Sequence, residues 1–187
     1  MDSSDSLQRF VRECQIAAAA WIPPTDALAI TLAVMKILRS VPDPIHRDAL
    51  PTVCRVLQAV ARHVGVSIER VSSHRNCQQS TIWATAACTC LVSTHEPIGA
   101  CSIACELGLS RSYLSLCFRS ATGERLVSCA AALQLVKTLT PLGDDRRSIA
   151  EVARDAGYPY TSDLDRALRR WIHMTPTTFR KYSFPVD

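Results

Sequence analysis

Two stretches in the C-terminal half of the chain combine arginines with hydroxyl side chains at helical spacing. On one face the first presents Arg111, Ser112, Ser115, Leu116 and Arg119. The second presents Thr161, Ser162, Asp165, Arg166 and Arg169, with Arg170 beside them. Arginine can pair bidentately with guanine or hold a phosphate, and hydroxyls add weaker contacts. Each arginine alone is equally typical of a solvated helix face, but two matched sets favour DNA binding.

These side chains lie in two copies of one short pattern. Each copy has an alanine, a glycine four residues later, and then two apolar residues four apart: Ala104, Gly108, Leu114 and Phe118, and Ala153, Gly157, Leu164 and Leu168. A small alanine allows close helix crossing, glycine can adopt the positive φ of a tight turn, and the apolar pair marks a buried stripe. The pattern predicts two helix-turn-helix units.

Helical periodicity continues along the chain without convincing strand alternation, which predicts an all-α fold. We expect helices over residues 6–21, 26–40, 45–65, 81–93, 99–107, 110–120 and 126–140. Thr25-Asp26 and Ser110 are expected to provide N-caps, and Gly123 is an expected C-terminal stop. The polar stretch 66–79 is the best linker candidate. It separates a small helical N-terminal region, 1–79, from a region 80–182 with helix-turn-helix subdomains at about 99–120 and 147–170.

The segment 126–140 is apolar almost all round, with Gln134 and Lys137 as its only long polar side chains. Such a helix must be buried, and we expect it between the two subdomains. Its length is about 21 Å. With its flanking turns it could hold two recognition helices near the repeat of about 34 Å between successive major grooves. A single chain would then read a bipartite site.

The residues that carry a family resemblance lie in both units. The first unit reads IGACSIACELGLSRSYLSLCFRSATG over 98–123, and the second reads SIAEVARDAGYPYTSDLDRALRRWIHMTPTTFRK over 148–181. The second unit closes with Met174-Thr175-Pro176 followed by Phe179-Arg180. Over residues 80–182 the chain resembles the AraC/XylS family of transcription regulators. The resemblance implies a sequence-specific regulator with two motifs in adjacent major grooves, joined by a connecting helix.

The resemblance also implies roles for particular residues. Base-facing positions correspond to Ser112, Ser115, Leu116, Thr161, Ser162, Asp165 and Arg166, and phosphate-facing positions to Arg119 and Arg169. The implied partner is double-stranded DNA, with RNA polymerase as a further candidate partner.

Several residues depart from the family pattern. Leu116 stands where a polar or basic base-reader is frequent, Asp163 and Asp165 add negative charge to the second recognition helix, and His173 replaces a glycine. In the connecting helix, Gln134 replaces a common arginine and Thr138 a common alanine, with Pro141 near the end. These differences leave an alternative function: a degenerate helical protein-interaction module that no longer binds DNA and modulates a related regulator.

Composition constrains the function only broadly. The net charge of +4 divides into +2 for residues 1–79 and +2 for the remainder, so DNA contacts must come from locally placed arginines. With 48% apolar residues, the 187-residue chain can build a packed core. The N-terminus lacks the positive region of a secretory signal, and the longest largely apolar run, 27–35, is too short for a membrane span. We therefore expect a cytoplasmic protein.

The nine cysteines suggest two kinds of chemistry. His74, Cys77, Cys88, Cys90, Cys101, Cys105, Cys117 and Cys129 could sense thiols or soft metals. Because no Cys-x-x-Cys pair occurs and intracellular cysteines mostly pack, we expect buried residues, with Cys101 and Cys105 among them. No catalytic motif appears, so the sequence predicts neither an enzyme nor a cofactor or metal. The region 1–79 could dimerise, cover the connecting helix or enclose a small ligand.

Overall fold

The computed structural model describes residues 3–20, 27–68, 79–94 and 98–183. This part of the chain is helical and contains no strand, so the predicted all-α fold is confirmed. The N-terminal region supplies α1 (Ser3–Ala20), α2 (Ala27–Ser40), a 3₁₀ turn (Arg47–Ala49) and α3 (Leu50–Ile68). The rest supplies α4 (Gln79–Ser93), α5 (Ala100–Glu106), α6 (Arg111–Thr122), α7 (Leu126–Leu142), α8 (Ile149–Asp155), α9 (Thr161–Ile172) and α10 (Pro176–Ser183).

The boundaries of α3 differ from the sequence prediction. The helix was expected over 45–65, but the chain is extended at His46 and makes a 3₁₀ turn before α3 begins at Leu50. Pro51 lies in the first turn of α3, where its missing N–H costs no hydrogen bond. The predicted linker is helical at its described ends, 66–68 and 79, and its remaining residues lie outside the described ranges. The predicted cap at Thr25-Asp26 and the predicted helix end at Trp21 also lie outside them.

The described helices are of moderate length. The longest are α3, with 19 residues, and α1, with 18. Both carry polar residues along one side, as helices on a protein surface do. None of the helices that the structure describes has the length and apolar character that crossing a membrane requires.

The connecting helix α7 lies at the centre of the molecule. Nine of its 17 residues are buried: Leu126, Cys129, Ala132, Leu133, Leu135, Val136, Thr138, Leu139 and Leu142. It contacts α4 and α6 of the first helix-turn-helix subdomain and α8, α9 and α10 of the second, so the predicted burial between the subdomains is confirmed. Its most extensive neighbours, however, are α3 and α2. Covering the connecting helix, one of the three roles considered for residues 1–79, is therefore what these helices do.

The hydrophobic core is continuous across the predicted boundary at residue 79. Phe10 and Leu57 from the N-terminal region belong to the same cluster as Phe118, Leu135 and Phe179, and all five are fully buried. Large apolar side chains shared between two regions couple the unfolding of one region to that of the other. The N-terminal helices are thus part of the packing that supports the rest of the chain.

Removing a core side chain of α3 tests this coupling. We expect Leu57→Ala to lower the free energy of unfolding by about 2–5 kcal/mol, because it leaves a cavity against α7. Urea unfolding followed by tryptophan fluorescence in a Trp21→Phe background would report on Trp83 and Trp171 alone. Ala59→Gln, at an exposed position of the same helix, should change the midpoint little. A fluorescence midpoint unaffected by Leu57→Ala would show that the two regions unfold independently.

Candidate nucleic-acid interface

The two helix-turn-helix units have the same turn geometry. Gly108 has a φ of 66° and Gly157 a φ of 76°, as the repeated pattern predicts. In the first turn the N–H of Leu109 donates to the carbonyl of Ala104 at 2.8 Å. In the second turn the N–H of Tyr158 donates to the carbonyl of Ala153 at 2.9 Å. This hydrogen bond closes a helix end that continues through a left-handed residue, so each glycine is required by its backbone conformation.

The two recognition helices have different capping residues. Ser110 caps α6, and its side chain accepts a hydrogen bond from the N–H of Tyr113 at 3.2 Å, as predicted. Gly123, with a φ of 74°, ends this helix, which also confirms the prediction. In the second unit Tyr160 occupies the N-cap position of α9 without a side-chain hydrogen bond.

A capping box at the start of α8 was missed at the sequence level. The N–H of Glu151 donates to the side chain of Ser148 at 3.1 Å, and the N–H of Ser148 donates to the Glu151 carboxylate at 2.8 Å. Hydrogen bonds from the side chain and backbone of Ser148 lower the pKa of Glu151. The local signal was present in the sequence as Ser-x-x-Glu before an apolar run.

The apolar stripes of both recognition helices face inward, as predicted. In α6 the buried residues are Leu114, Cys117 and Phe118, and in α9 they are Leu164, Leu168 and Ile172. The candidate contact residues lie on the opposite sides. The exposed ones are Arg111, Ser112, Ser115, Leu116, Arg119, Thr161, Ser162, Arg166, Arg169 and Arg170, while Asp165 is half-buried. The structure therefore leaves almost the whole set accessible, and its contact with DNA stays a prediction.

The two recognition helices differ in electrostatics. In α9, Nε of Arg169 lies 2.7 Å from Oδ2 of Asp165, and an Nη atom of Arg166 lies 3.2 Å from Oδ1 of Asp163. Asp165 thus holds Arg169 rather than Arg166. No described carboxylate lies within ion-pair distance of Arg111 or Arg119 in α6. Since exposed ion pairs contribute little to stability, both arginines of α9 can exchange a carboxylate for a phosphate or a base at small cost.

Two exposed tyrosines beside these sets were not predicted. Tyr113 lies in the first turn of α6, and Tyr160 precedes α9 with 72% of its surface exposed. A hydrogen bond with Cys117 raises the pKa of Tyr113. Tyr160 stands next to Thr161 and Ser162, so it lies at the same end of α9 as these candidate contacts. A search for aromatic residues at the N-terminal ends of the recognition helices would have found both.

The polar side chains of α7 each hold one of the two units. Nε2 of Gln134 donates to the carbonyl of Ala156 at 2.8 Å, in the turn of the second unit. Nζ of Lys137 donates to the carbonyls of Leu91, Val92 and Thr94 at 2.7–3.0 Å, where α4 ends before the first unit. Burial lowers the pKa of Lys137 to about 8.

Thr138, the other replaced position in the connecting helix, is buried close to a tyrosine of the second turn. Its hydroxyl donates to the carbonyl of Gln134 at 2.7 Å. Burial raises the pKa of Tyr158 to about 12, and a hydrogen bond with Thr138 opposes the rise. Gln134 and Thr138, which both depart from the family pattern, thus contact the turn of the second helix-turn-helix unit.

The cysteines divide into two groups. Cys88, Cys117 and Cys129 are buried as predicted, and burial raises the pKa of the Cys129 thiol to about 12. The prediction that Cys101 and Cys105 are buried is wrong. Both are exposed, because the buried face of α5 is defined by Ile103 and Ala104, which lie on the other side of the helix.

The residues considered for thiol or metal sensing do not converge on a metal site within the described residues. No group of three or more His, Cys, Asp or Glu side chains is placed there to hold a metal ion. Cys90 is half-buried, and burial raises the pKa of its thiol, as does the neighbouring Glu106 carboxylate. His74 and Cys77 lie outside the described ranges.

Comparison with known proteins agrees with this geometry. Residues 103–182 match a family model described as a helix-turn-helix domain. This segment is therefore similar to helix-turn-helix domains of the AraC type. The match begins inside α5, includes α7 and the whole second unit, and ends in α10. Searches of curated proteins and of solved structures found no match.

The turn glycines of the helix-turn-helix domain provide a stability test. We expect Gly108→Ala and Gly157→Ala each to lower the free energy of unfolding by about 1–2 kcal/mol, because alanine disfavours positive φ. At Gly108 an added Cβ would meet no atom within 4 Å, so the cost there is conformational. Gly99→Ala is the control for an added methyl group at a negative φ of −86° in equally open surroundings, and it should lose only the smaller N-cap preference of glycine at the start of α5. Equal urea midpoints for the three variants would contradict this assignment.

The capping box predicts a pH dependence. The pKa of Glu151 is lower in the folded protein than its ordinary value, so its contribution to stability is present above about pH 4.3 and is lost as pH falls through the folded pKa. Glu151→Gln should therefore be less stable than the wild type at pH 7 and similar to it near pH 3. Ser148→Ala should cost about 1 kcal/mol at pH 7. Urea unfolding at both pH values measures these differences. A stability gap for Glu151→Gln that is the same at both would exclude the carboxylate as its cause.

Proposed function

We propose that this protein is a sequence-specific DNA-binding transcription regulator that reads a bipartite site with α6 and α9 in successive major grooves. The observation that supports the proposal best is the pair of recognition helices in an AraC-like helix-turn-helix domain, each with an inward apolar stripe and exposed arginine and hydroxyl side chains. Helix-turn-helix proteins place such a helix in the major groove, with its N-terminal residues on base edges.

The connecting helix supports the bipartite arrangement. With 17 residues, α7 is about 26 Å long. It follows α6 after Gly123 and is followed by the capping box of α8. A rod of this length, with its turns, suits two helices separated by the repeat of about 34 Å of successive major grooves.

The proposed contacts divide into base reading and positioning. Ser112, Ser115, Leu116, Thr161, Ser162, Asp165 and Arg166 face bases, and Arg119 and Arg169 face phosphates. Arg166 would release Asp163 to pair with a guanine, a contact that discriminates between bases by about 1–3 kcal/mol. Leu116, with 68% of its surface exposed, can contact a thymine methyl group. Arg111 and Arg170 flank the two sets.

The wider role follows from this activity. A transcription regulator of this kind acts in the cytoplasm, contacts double-stranded DNA, and can contact RNA polymerase. We infer that it works by binding and carries out no enzymatic reaction.

A second candidate function has its own supporting observation. Both α9 arginines with ion pairs bind carboxylates of the same helix, and the exposed Leu116 and Tyr113 on α6 suit a protein surface as well as DNA. A helical protein-interaction module that has lost DNA binding, and that modulates a related regulator, would show these features.

Salt-dependent DNA binding separates the two functions. The regulator should bind sites selected from random DNA, and with about four phosphate contacts its affinity should fall about 100-fold between 50 and 200 mM salt. Arg166→Ala should weaken binding to the selected site about 10-fold and relax the preference at one base pair. Fluorescence anisotropy measures both effects. Arg62→Ala, which removes the same charge from the exposed side of α3, is the control and should bind normally. Absent or salt-insensitive binding would favour the interaction module.

A further inference from the structure

A short segment that includes the end of α2 and the residues after it lies against the C-terminal ends of both recognition helices. We call this segment, residues 39–43, the bridge. At one end of the bridge Arg39 binds Glu124, which directly follows Gly123, the residue that ends α6. At the other end Oδ2 of Asp43 lies 3.5 Å from Nδ1 of His173, the residue that ends α9. One segment of the N-terminal region therefore contacts the C-terminal end of the recognition helix in both units.

The contact with the first unit has a defined geometry. The Arg39 guanidinium donates two hydrogen bonds to the Glu124 carboxylate, one of them at 2.7 Å. This is the bidentate geometry that the planar guanidinium group favours with a carboxylate. The Glu124 side chain is only 15% exposed. Its backbone N–H donates to the Thr122 hydroxyl at 3.0 Å, which holds the residue in place. This pair is more enclosed than the exposed pairs of α9.

The contact with the second unit involves an unusual backbone conformation. His173 has a φ of 54° and is the one residue other than glycine with positive φ in the described ranges. Side chains disfavour this conformation, so residues that keep it usually have a compensating interaction. Here the imidazole of His173 lies next to the Asp43 carboxylate, an acceptor within reach of its Nδ1 atom.

The bridge itself is anchored. Val41 and Pro42, between its two contacting residues, are buried, and Val41 belongs to the hydrophobic core. The helix whose last turn contributes Arg39, α2, packs on α4, α7 and α9. Because its middle is buried, the bridge cannot move freely with either recognition helix.

A further link between the units restrains their relative motion. The connecting helix α7 packs against helices of both units, and Gln134 and Lys137 each add a hydrogen-bonded contact with one of them. The bridge adds polar contacts at the far ends of α6 and α9, so it restrains rotation of these two helices relative to α7. The base-reading residues lie in the N-terminal halves of these 12-residue helices, about 10–18 Å along the helix axis from the bridge contacts, and a small rotation there displaces them.

We propose that the bridge is a positioning element that sets the separation and relative orientation of the two recognition helices, and through them the half-site spacing that the protein accepts. This rests on the proposed function, the reading of a bipartite site. The N-terminal helices then contribute to DNA specificity without touching DNA.

The main experiment measures spacing preference in the full chain. The DNA probes are the selected bipartite site, the same site with one or two base pairs inserted or removed between the halves, and a single half-site. The double variant Arg39→Met/Asp43→Ala breaks both bridge contacts. The affinity of this variant for the selected site should fall about 10-fold. Its preference for the selected site over sites with a changed spacing should largely disappear. Its affinity for a single half-site should stay within about twofold of the wild type.

A matched control and a rescue separate positioning from folding. A cleft of about 460 Å³ is lined by the bridge residues Arg39 and Asp43 and also by Lys36 and Glu13. Lys36→Met removes the ion pair between Lys36 and Glu13 but leaves the bridge contacts intact. It should keep the wild-type spacing preference. Exchange of the charges in Arg39→Glu/Glu124→Arg should restore much of the preference that Arg39→Glu alone loses. Circular dichroism verifies that each variant is folded.

A measurement without DNA keeps the test independent of the proposed function. Fluorophores introduced at positions 115 and 162 report the distance between the recognition helices by energy transfer. Loss of both bridge contacts should broaden the distance distribution, and Lys36→Met should not. If the wild type bound no DNA, the proposed function would fail, and this distance measurement would still decide on the bridge. An unchanged distribution together with an unchanged spacing preference would overturn the proposal.

Discussion

Burial of the connecting helix α7 is the constraint on which the rest of the structure depends. Leu135 and Leu139 have no exposed surface, and α7 contacts helices of the N-terminal region and of both helix-turn-helix units. Recognition helices of 12 residues are too short to be stable alone, so they depend on an apolar back against which to pack. That requirement explains why α2 and α3 are integral to the fold. Without them a large apolar surface of α7 would face water.

The two long polar side chains of α7 are satisfied by backbone carbonyls. An ammonium group in an apolar setting is costly unless hydrogen bonds compensate it, and Lys137 has three acceptors at the end of α4. Gln134 similarly donates to the second turn. Two side chains that interrupt the apolar surface of α7 therefore attach it to the two units. The same helix provides the core and the orientation of the elements around it.

Charged side chains, and not apolar packing, distinguish the surfaces of the two recognition helices. The modest net charge leaves DNA affinity to local arginines, and in α9 those arginines are held in ion pairs along the helix. Such pairs keep the side chains ordered but bind weakly enough to exchange partners. In α6, Arg111 and Arg119 have no described carboxylate near them, and Leu116 is exposed between them in sequence. The two recognition surfaces thus differ chemically although their backbones are alike.

The sequence by itself determined the features that depend on local geometry. The turns at Gly108 and Gly157, the cap at Ser110 and the apolar stripes of α6 and α9 could be predicted because helical periodicity and positive φ are properties of neighbouring residues. The same reasoning could have found the Ser148–Glu151 capping box. It failed for Cys101 and Cys105, because which face of a seven-residue helix is buried depends on its neighbours.

Only the tertiary structure decided how distant segments meet. The placement of α2 and α3 on α7 was one of several arrangements that their apolar faces allowed. The contact between Arg39 and Glu124 joins residues 85 positions apart, and His173 meets a loop from the opposite half of the chain. No periodicity encodes such pairs, because they arise when large side chains of separate helices fill one common core and bring particular surface groups together.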